Sequence, residues 1–292
     1  MATSAIVDHK RPFRGLAPLM LAVGLAVIVV PTMAFVAKVS WSTESGAHGP
    51  IVLFTGLWLL WRLWPDARLM LAPPPAIWAG TALAVTLPLY LLARIAQIVE
   101  IQGYLMYAVV LATLYAVIGA AAMRRLWFPL LYLGFMFPLP DTVVAALTGS
   151  LKTGISHAAV AFLYEFGYPI GSAGVMIQVG QFQLLVAAAC SGLNSIVALT
   201  AISLFYVYMR HQADWRYALL LTMFILPVAI FTNFIRVVIL ILITYHAGDS
   251  AAQGFLHNFA GLMMFTVALL TIFALDSGLE PIWRRVANRR VS

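Results

Sequence analysis

Residues 217–245 read YALLLTMFILPVAIFTNFIRVVILILITY and carry a single charge, Arg236. A bilayer's hydrocarbon core takes about 20 apolar residues of helix, so this stretch is a membrane span with length to spare. The rest of the chain repeats the pattern. Hydrophobic residues make up 63% of the 292 and charged residues only 9%, with a mean hydropathy of +0.97. Soluble domains sit near half and a quarter respectively, which points to an integral membrane protein with no room for a soluble domain.

Working outward from that stretch, apolar runs mark eight spans, at 16–37, 50–64, 76–98, 104–123, 126–138, 184–209, 217–245 and 255–275. The expected fold is an all-α polytopic membrane bundle of about eight transmembrane helices, forming one domain over 1–292. The second and fifth runs are short for a perpendicular span, so tilted or re-entrant helices are expected there. Pro88 and Pro227 fall inside spans three and seven and should kink them. The basic start, Asp8 to Arg14, leads into an apolar run too long for a signal peptide's core, which reads as a retained first helix.

The net charge of +7 and pI near 9.8 do not point to nucleic acid, because the basic residues are distributed by loop. One alternate set of connections holds Lys10, Arg11, Arg14, Arg62, Arg68, Arg124, Arg125, Arg210, Arg216, Arg284, Arg285, Arg289 and Arg290. The other set holds Lys38, Arg94 and Lys152. Cytoplasmic loops carry the excess of Lys and Arg. Both termini are therefore expected in the cytoplasm, with residues 1–15 a cytoplasmic N-terminus and 276–292 a basic cytoplasmic tail.

Residues 140–183 form the longest external segment, between spans five and six. Val144, Leu147, Leu151, Ile155 and Ala158 recur at helical spacing and predict an amphipathic helix over 141–166, broken by Gly167-Tyr168-Pro169. Residues 175–185, with Gln178, Gly180 and Gln181, read as a short hairpin or extended strand.

Chemistry is sought where reactive side chains share a depth. The lone cysteine, Cys190, lies about two turns, roughly 10 Å, into span six from its external end. Arg236 lies a little over two turns from the external end of span seven, and His257 opens span eight on the same side. The attacking species of a cysteine is its thiolate, which burial alone disfavours. A guanidinium stabilises that anion and a later oxyanion without losing its own proton. An imidazole can take the thiol proton and return it to a leaving amine. Ser191 and Gly192 add a hydroxyl and close backbone approach beside the thiol. His246, at the end of span seven, competes with His257 for the base role, while His48 sits in an external turn. No ligand spacing or phosphate loop implies a metal or cofactor, and none is expected.

Three stretches together resemble the exosortase/archaeosortase family: Ala189-Cys190-Ser191-Gly192-Leu193, Asn233-Phe234-Ile235-Arg236-Val237 and His257-Asn258-Phe259-Ala260-Gly261. The His48-Gly49-Pro50 turn after Trp41 and the stretch Phe137-Pro138-Leu139-Pro140 are also similar to that family. The resemblance implies a thiol protease or transpeptidase of the bacterial inner membrane, acting near the periplasmic face through a thioester. Its partners would be exported proteins whose C-terminal sorting signal joins a Pro-Glu-Pro type motif, a membrane helix and a basic tail (PEP-CTERM), in envelopes that produce exopolysaccharide. It makes Cys190 the nucleophile, Arg236 the electrostatic partner and His257 the acid/base, with Ser191, Asn233, Asn258, His246 and His48 as supporting residues. The family often has Asp after the histidine, where this chain has Asn258, which can orient an imidazole but supplies no charge. A transporter or channel using Arg236 as an anion site is the competing class, disfavoured by the lack of paired acids and inverted repeats. A non-catalytic component of an exopolysaccharide export system is the third.

Overall fold

The computed structural model describes residues 16–41, 46, 48–173, 176–185, 195–211, 215–258 and 260–288. In chain order the helices are α1 (Leu16–Val39), α2 (Gly49–Ala67), α3 (Ala76–Ala96), α4 (Val99–Arg125), α5 (Trp127–Leu133) and α6 (Asp141–Glu165). Strands β1 (Ile170–Ala173), β2 (Met176–Val179) and β3 (Phe182–Leu185) follow, then α7 (Ser195–Arg210), α8 (Trp215–Ala247), α9 (Asp249–Asn258) and α10 (Ala260–Asn288). Five stretches among the described residues are long and apolar enough to cross a bilayer: Pro18–Val39, Ile77–Ala96, Val99–Arg125, Arg216–Ala247 and Thr266–Arg285. The shorter helical stretches Trp127–Met136 and Val197–Arg210 are also apolar. The protein is helical and multi-pass.

The chain divides into two compact units, residues 1–39 with 64–125, and residues 40–63 with 126–292. In the first, α4 packs against α1 and α3. A polar chain ties the three together: Arg94 Nη1 donates to Tyr90 Oη (3.0 Å), Tyr90 Oη lies 2.8 Å from Thr32 Oγ1, and Gln102 Nε2 donates to Thr32 Oγ1 (3.3 Å). Thr32, Tyr90 and Gln102 are buried, so each bond spares a polar group an unpaired place in apolar surroundings. Helix α4 is broken at Gly119, whose φ of 79° and ψ of 173° belong to a region open essentially to glycine. The break lets Ile118 O accept from the Ala72 amide (3.2 Å), and a Cβ at 119 would overlap the Ala72 carbonyl.

In the second unit α8 is the central helix, touching α6, α7, α9, α10 and β2. The helix expected over 141–166 is present as α6. It buries Ile155, Ala159 and Leu163 in one stripe at i, i+4 and i+8, with Leu151 partly buried beside them, while Ala158 is exposed. Its C-terminus carries the paired bonds of a Schellman motif, Tyr168 N–H to Leu163 O and Gly167 N–H to Tyr164 O. The strands form an antiparallel sheet in the order β1-β2-β3. Ile177, Val179 and Leu184 pack with the α6 stripe against Val237, Val238 and Ile241 of α8.

Two boundaries differ from the sequence reading. Span six does not begin at 184, because the Gly180-Gln181 turn pairs Phe182–Leu185 with Met176–Val179; the described residues take up the helix again as α7, Ser195–Arg210. Apolar content alone does not separate a strand from the start of a helix; the ladder's hydrogen bonds decide it here. The last helix runs on to Asn288, well past the expected end of span eight.

That extension places Asp276, 2% exposed, inside α10 rather than in a solvated tail. Tyr206 Oη (2.5 Å) and Tyr217 Oη (2.9 Å) donate to its carboxylate, and His211 Nε2 lies 2.9 Å from Oδ1. Arg210 approaches at 4.0 Å and also pairs with Glu280 at 3.7 Å. One buried acid thus joins the ends of α7 and α8 to the middle of α10. Asp276→Asn keeps the shape but turns one acceptor into a donor facing other donors. A loss of about 3 kcal/mol is expected for breaking such a buried pair. It is read as a lower thermal midpoint in detergent, against less than about 1 kcal/mol for Arg284→Ala at the exposed Arg284–Glu280 pair.

Candidate active site

Arg236 is 1% exposed and heads the largest fully buried side chains. A cation inside a membrane helix costs at least a few kcal/mol and is kept where it faces a partner or a wet cavity. Its helix presents different faces to different neighbours. Val237, Val238 and Ile241 enter the core with the sheet and α6, whereas Leu240 packs against Ala252 of α9. Asn233, Arg236 and Leu240 fall at i, i+3 and i+7, which puts them along one face.

Asn233 is also 1% exposed, and neither its Nδ2 nor its Oδ1 has a hydrogen-bond partner among the described residues. A buried amide left unmet costs about 1–3 kcal/mol. One turn from the buried guanidinium, α8 therefore holds a donor and an acceptor that no described residue engages.

Helix α9 brings the third element alongside. Gly248, with φ of 83°, closes α8 through its amide on Thr244 O and opens α9 through its carbonyl, which accepts from Ala252 N–H. The chain then folds back along α8, with Ala252 against Leu240. From that contact His257 lies five residues further on, about 7.5 Å, and Arg236 lies four residues back along α8, about 6 Å. The backbone at His257 thus reaches the depth of Arg236. The side chains of His257 and Asn258, and all of Cys190 and Ser191, lie outside the described residues; β3 ends five residues before the cysteine and α7 begins five after it.

His246 is placed elsewhere. It is exposed at the end of α8, ten residues or about 15 Å from Arg236. Its Nε2 lies 3.3 Å from Tyr168 Oη, and its ring meets Tyr168 and Tyr245 edge to face.

His48 joins two stretches that the sequence presents separately. It is 5% exposed, and its Nε2 donates to Phe135 O at 2.9 Å, which ties the Trp41–Gly49 turn to the stretch ending in buried Phe137. Because a carbonyl only accepts, Nε2 carries the proton, and Nδ1 is left as a buried acceptor with no partner among the described residues. Burial holds its pKa below the ordinary imidazole range, the Phe135 bond offsetting only part of that. The ring is neutral at neutral pH. Trp41 packs so closely on Gly49 that a Cβ there would overlap the indole.

No group of three or more His, Cys, Asp or Glu residues suited to a metal ion occurs among the described residues. No curated protein and no solved structure is a significant match to the chain. The family model for transmembrane exosortases matches residues 40–274, which take in the Trp41–Pro50 turn, Cys190, the Asn233–Arg236 turn and His257. With four-fifths of its length under that match, the chain belongs to the transmembrane exosortase family.

Proposed function

We propose that the protein is a membrane cysteine protease/transpeptidase that cleaves the C-terminal sorting signal of exported proteins. The observation that carries this reading is the fully buried Arg236 beside an amide that no described residue engages, on a helix face that α9 folds back to meet.

In the reaction, the Cys190 thiolate attacks the scissile carbonyl carbon and the carbonyl oxygen takes up the negative charge beside Arg236. Collapse of that adduct breaks the C–N bond. His257, carrying the proton taken from the thiol, gives it to the departing amine and leaves a thioester on Cys190. Water or an amine then attacks the thioester, yields its proton to His257 and frees the thiol. Asn258 orients the imidazole by hydrogen bonding, and Ser191 lies beside the nucleophile.

On this reading the membrane is the bacterial inner membrane, as the resemblance implies, crossed eight times with the active face periplasmic; the excess of basic residues in alternate loops supports cytoplasmic termini. A substrate lying beside the spans would then keep its basic tail in the cytoplasm while its external junction reaches Cys190. The test is co-expression with a protein bearing the tripartite signal, reading conversion of precursor to the processed form. The two imidazoles separate in the same assay. His257→Ala is expected to lower the processing rate about 10²-fold, the range of general acid–base catalysis. His246→Ala, with its ring engaged by Tyr168, is expected to change it less than about threefold; the reverse order would move the acid/base role to His246.

A further inference from the structure

Among the described residues, the sheet that precedes Cys190 has one edge packed on a helix and one open. Val179 and Phe182 flank the two-residue Gly180-Gln181 turn and pair directly, as Ile177 does with Leu184, Gln178 with Gln183 and Met176 with Leu185. In an antiparallel ladder, hydrogen-bonded pairs alternate with pairs whose backbone groups point outward. With Val179–Phe182 the hydrogen-bonded pair that closes a two-residue hairpin, the N–H and C=O groups of Gln183 and Leu185 point away from β2. On β2 the matching groups of Gln178 and Met176 turn toward β1, where Gly171 and Ala173 stand opposite them.

The outer edge of β1 lies against α6. Ile170 N–H donates to Tyr168 O, Ser172 Oγ lies 3.1 Å from His157 Nδ1 of α6, and β1 packs on that helix. At β3, Gln183 is exposed, and no backbone group among the described residues bonds to the outward groups of Gln183 or Leu185. The edge is held rigidly from behind by Ile177, Val179 and Leu184 in the core with α6 and α8. It also leads directly into the cysteine, because Cys190 lies only five positions past Leu185, at most about 18 Å of chain.

We infer that the open edge of β3 docks the substrate by strand addition: an extended stretch of polypeptide just outside the substrate's membrane helix pairs with Gln183 and Leu185. This rests on the protease reading above and names how its substrate is held. Main-chain pairing supplies affinity that tolerates varied side chains, and it delivers the scissile bond within a few residues of the thiol. An exposed edge is otherwise a hazard for pairing with the wrong chain, so a dedicated occupant gives it a use.

The test uses purified full-length protein in detergent and a synthetic substrate spanning the junction and the membrane helix, made as a series with one N-methylated residue each. N-methylation removes one donor, so strand addition predicts alternation. Every second residue of the paired stretch should weaken binding to the Cys190→Ala protein and raise KM for the wild type about tenfold, while the residues between are tolerated. Gln183→Pro removes an outward N–H at a position where an edge strand accepts proline, and it should raise KM about tenfold with kcat within twofold of wild type. Cleavage by the wild type without alternation, or with Gln183→Pro unchanged, overturns the docking edge. If the thermal midpoint of Gln183→Pro shows a damaged fold, the N-methyl series on unaltered protein decides alone. Alternation in binding without any cleavage instead sinks the protease reading and leaves the docking edge standing.

Discussion

Cys190→Ala is expected to stop substrate processing outright, a loss of at least about 10³-fold, with the protein still inserted and folded. Removing a nucleophile that works as a unit with its base costs nearly everything the unit supplies. The substitution removes a single sulfur atom, so the effect on stability should stay below about 1 kcal/mol. Processing is read as precursor conversion in the co-expression assay, and folding as an unchanged thermal midpoint. Cys190→Ser should be nearly as inactive, because a hydroxyl holds its proton far more tightly than a thiol. Undiminished processing in either variant would return Cys190 to the role of a packed apolar side chain.

Arg236→Ala is expected to reduce processing roughly 10³-fold, the upper range for losing one preorganised oxyanion donor. In the proposed mechanism the guanidinium serves two anions in turn, the thiolate and the tetrahedral oxygen, and both would lose their counter-charge together. Arg236→Lys keeps the charge but loses the planar fork, and the ammonium's stronger hydration makes it a poor replacement at 1% exposure. It should recover at most about a tenth of the wild-type rate. Alkylation of Cys190 by iodoacetamide separates this role from a structural one. A positive neighbour within about 6 Å favours the thiolate, so alkylation at neutral pH should slow about tenfold in Arg236→Ala. An unchanged alkylation rate together with lost processing would assign Arg236 to substrate or packing rather than to the thiol.

Much of this architecture was legible in the sequence because the bilayer imposes simple demands. A run such as 217–245 has few options in lipid other than a helix, and α8 follows it within two residues at each end. The α6 helix and its stop at Gly167 were equally readable, since apolar spacing and turn residues agree there. Where two structures satisfy the same apolar content, the sequence allows two overlapping readings, here a strand over 175–185 and a span from 184. Leu184 and Leu185 suit a strand or a helix equally, and the partner strand assigns them. Gly119 gave no local sign that it would interrupt α4, because glycine is common in membrane helices; the cause is a carbonyl from residues 71–73 docking against it.

The site divides along the same line. Arg236 stood out as the charge inside an apolar run, and its burial follows from the cost of leaving it in lipid. Asn233 is a neutral polar residue in the same run, and only the structure reveals that no described residue satisfies either end of its amide. Asp276 was passed over for the opposite reason. Beside Arg284 and Arg285 it resembles one more surface charge, and its partners Tyr206, His211 and Tyr217 come from distant parts of the chain. A lone acid following an apolar run, with a histidine and two tyrosines at the ends of the preceding helices, was the available signal.

The role of Cys190 is tested most directly by trapping the acyl-enzyme. Purified protein is mixed with a substrate carrying the tripartite signal, quenched in acid within the first turnover, and digested for mass spectrometry. The expected result is a peptide containing Cys190 that carries the N-terminal substrate fragment through a bond cleaved by hydroxylamine, and that is absent from Cys190→Ala. Processed substrate with an unmodified Cys190 at every quench time, in a protein whose Cys190→Ala form processes equally fast, would contradict the assignment of this thiol as the nucleophile.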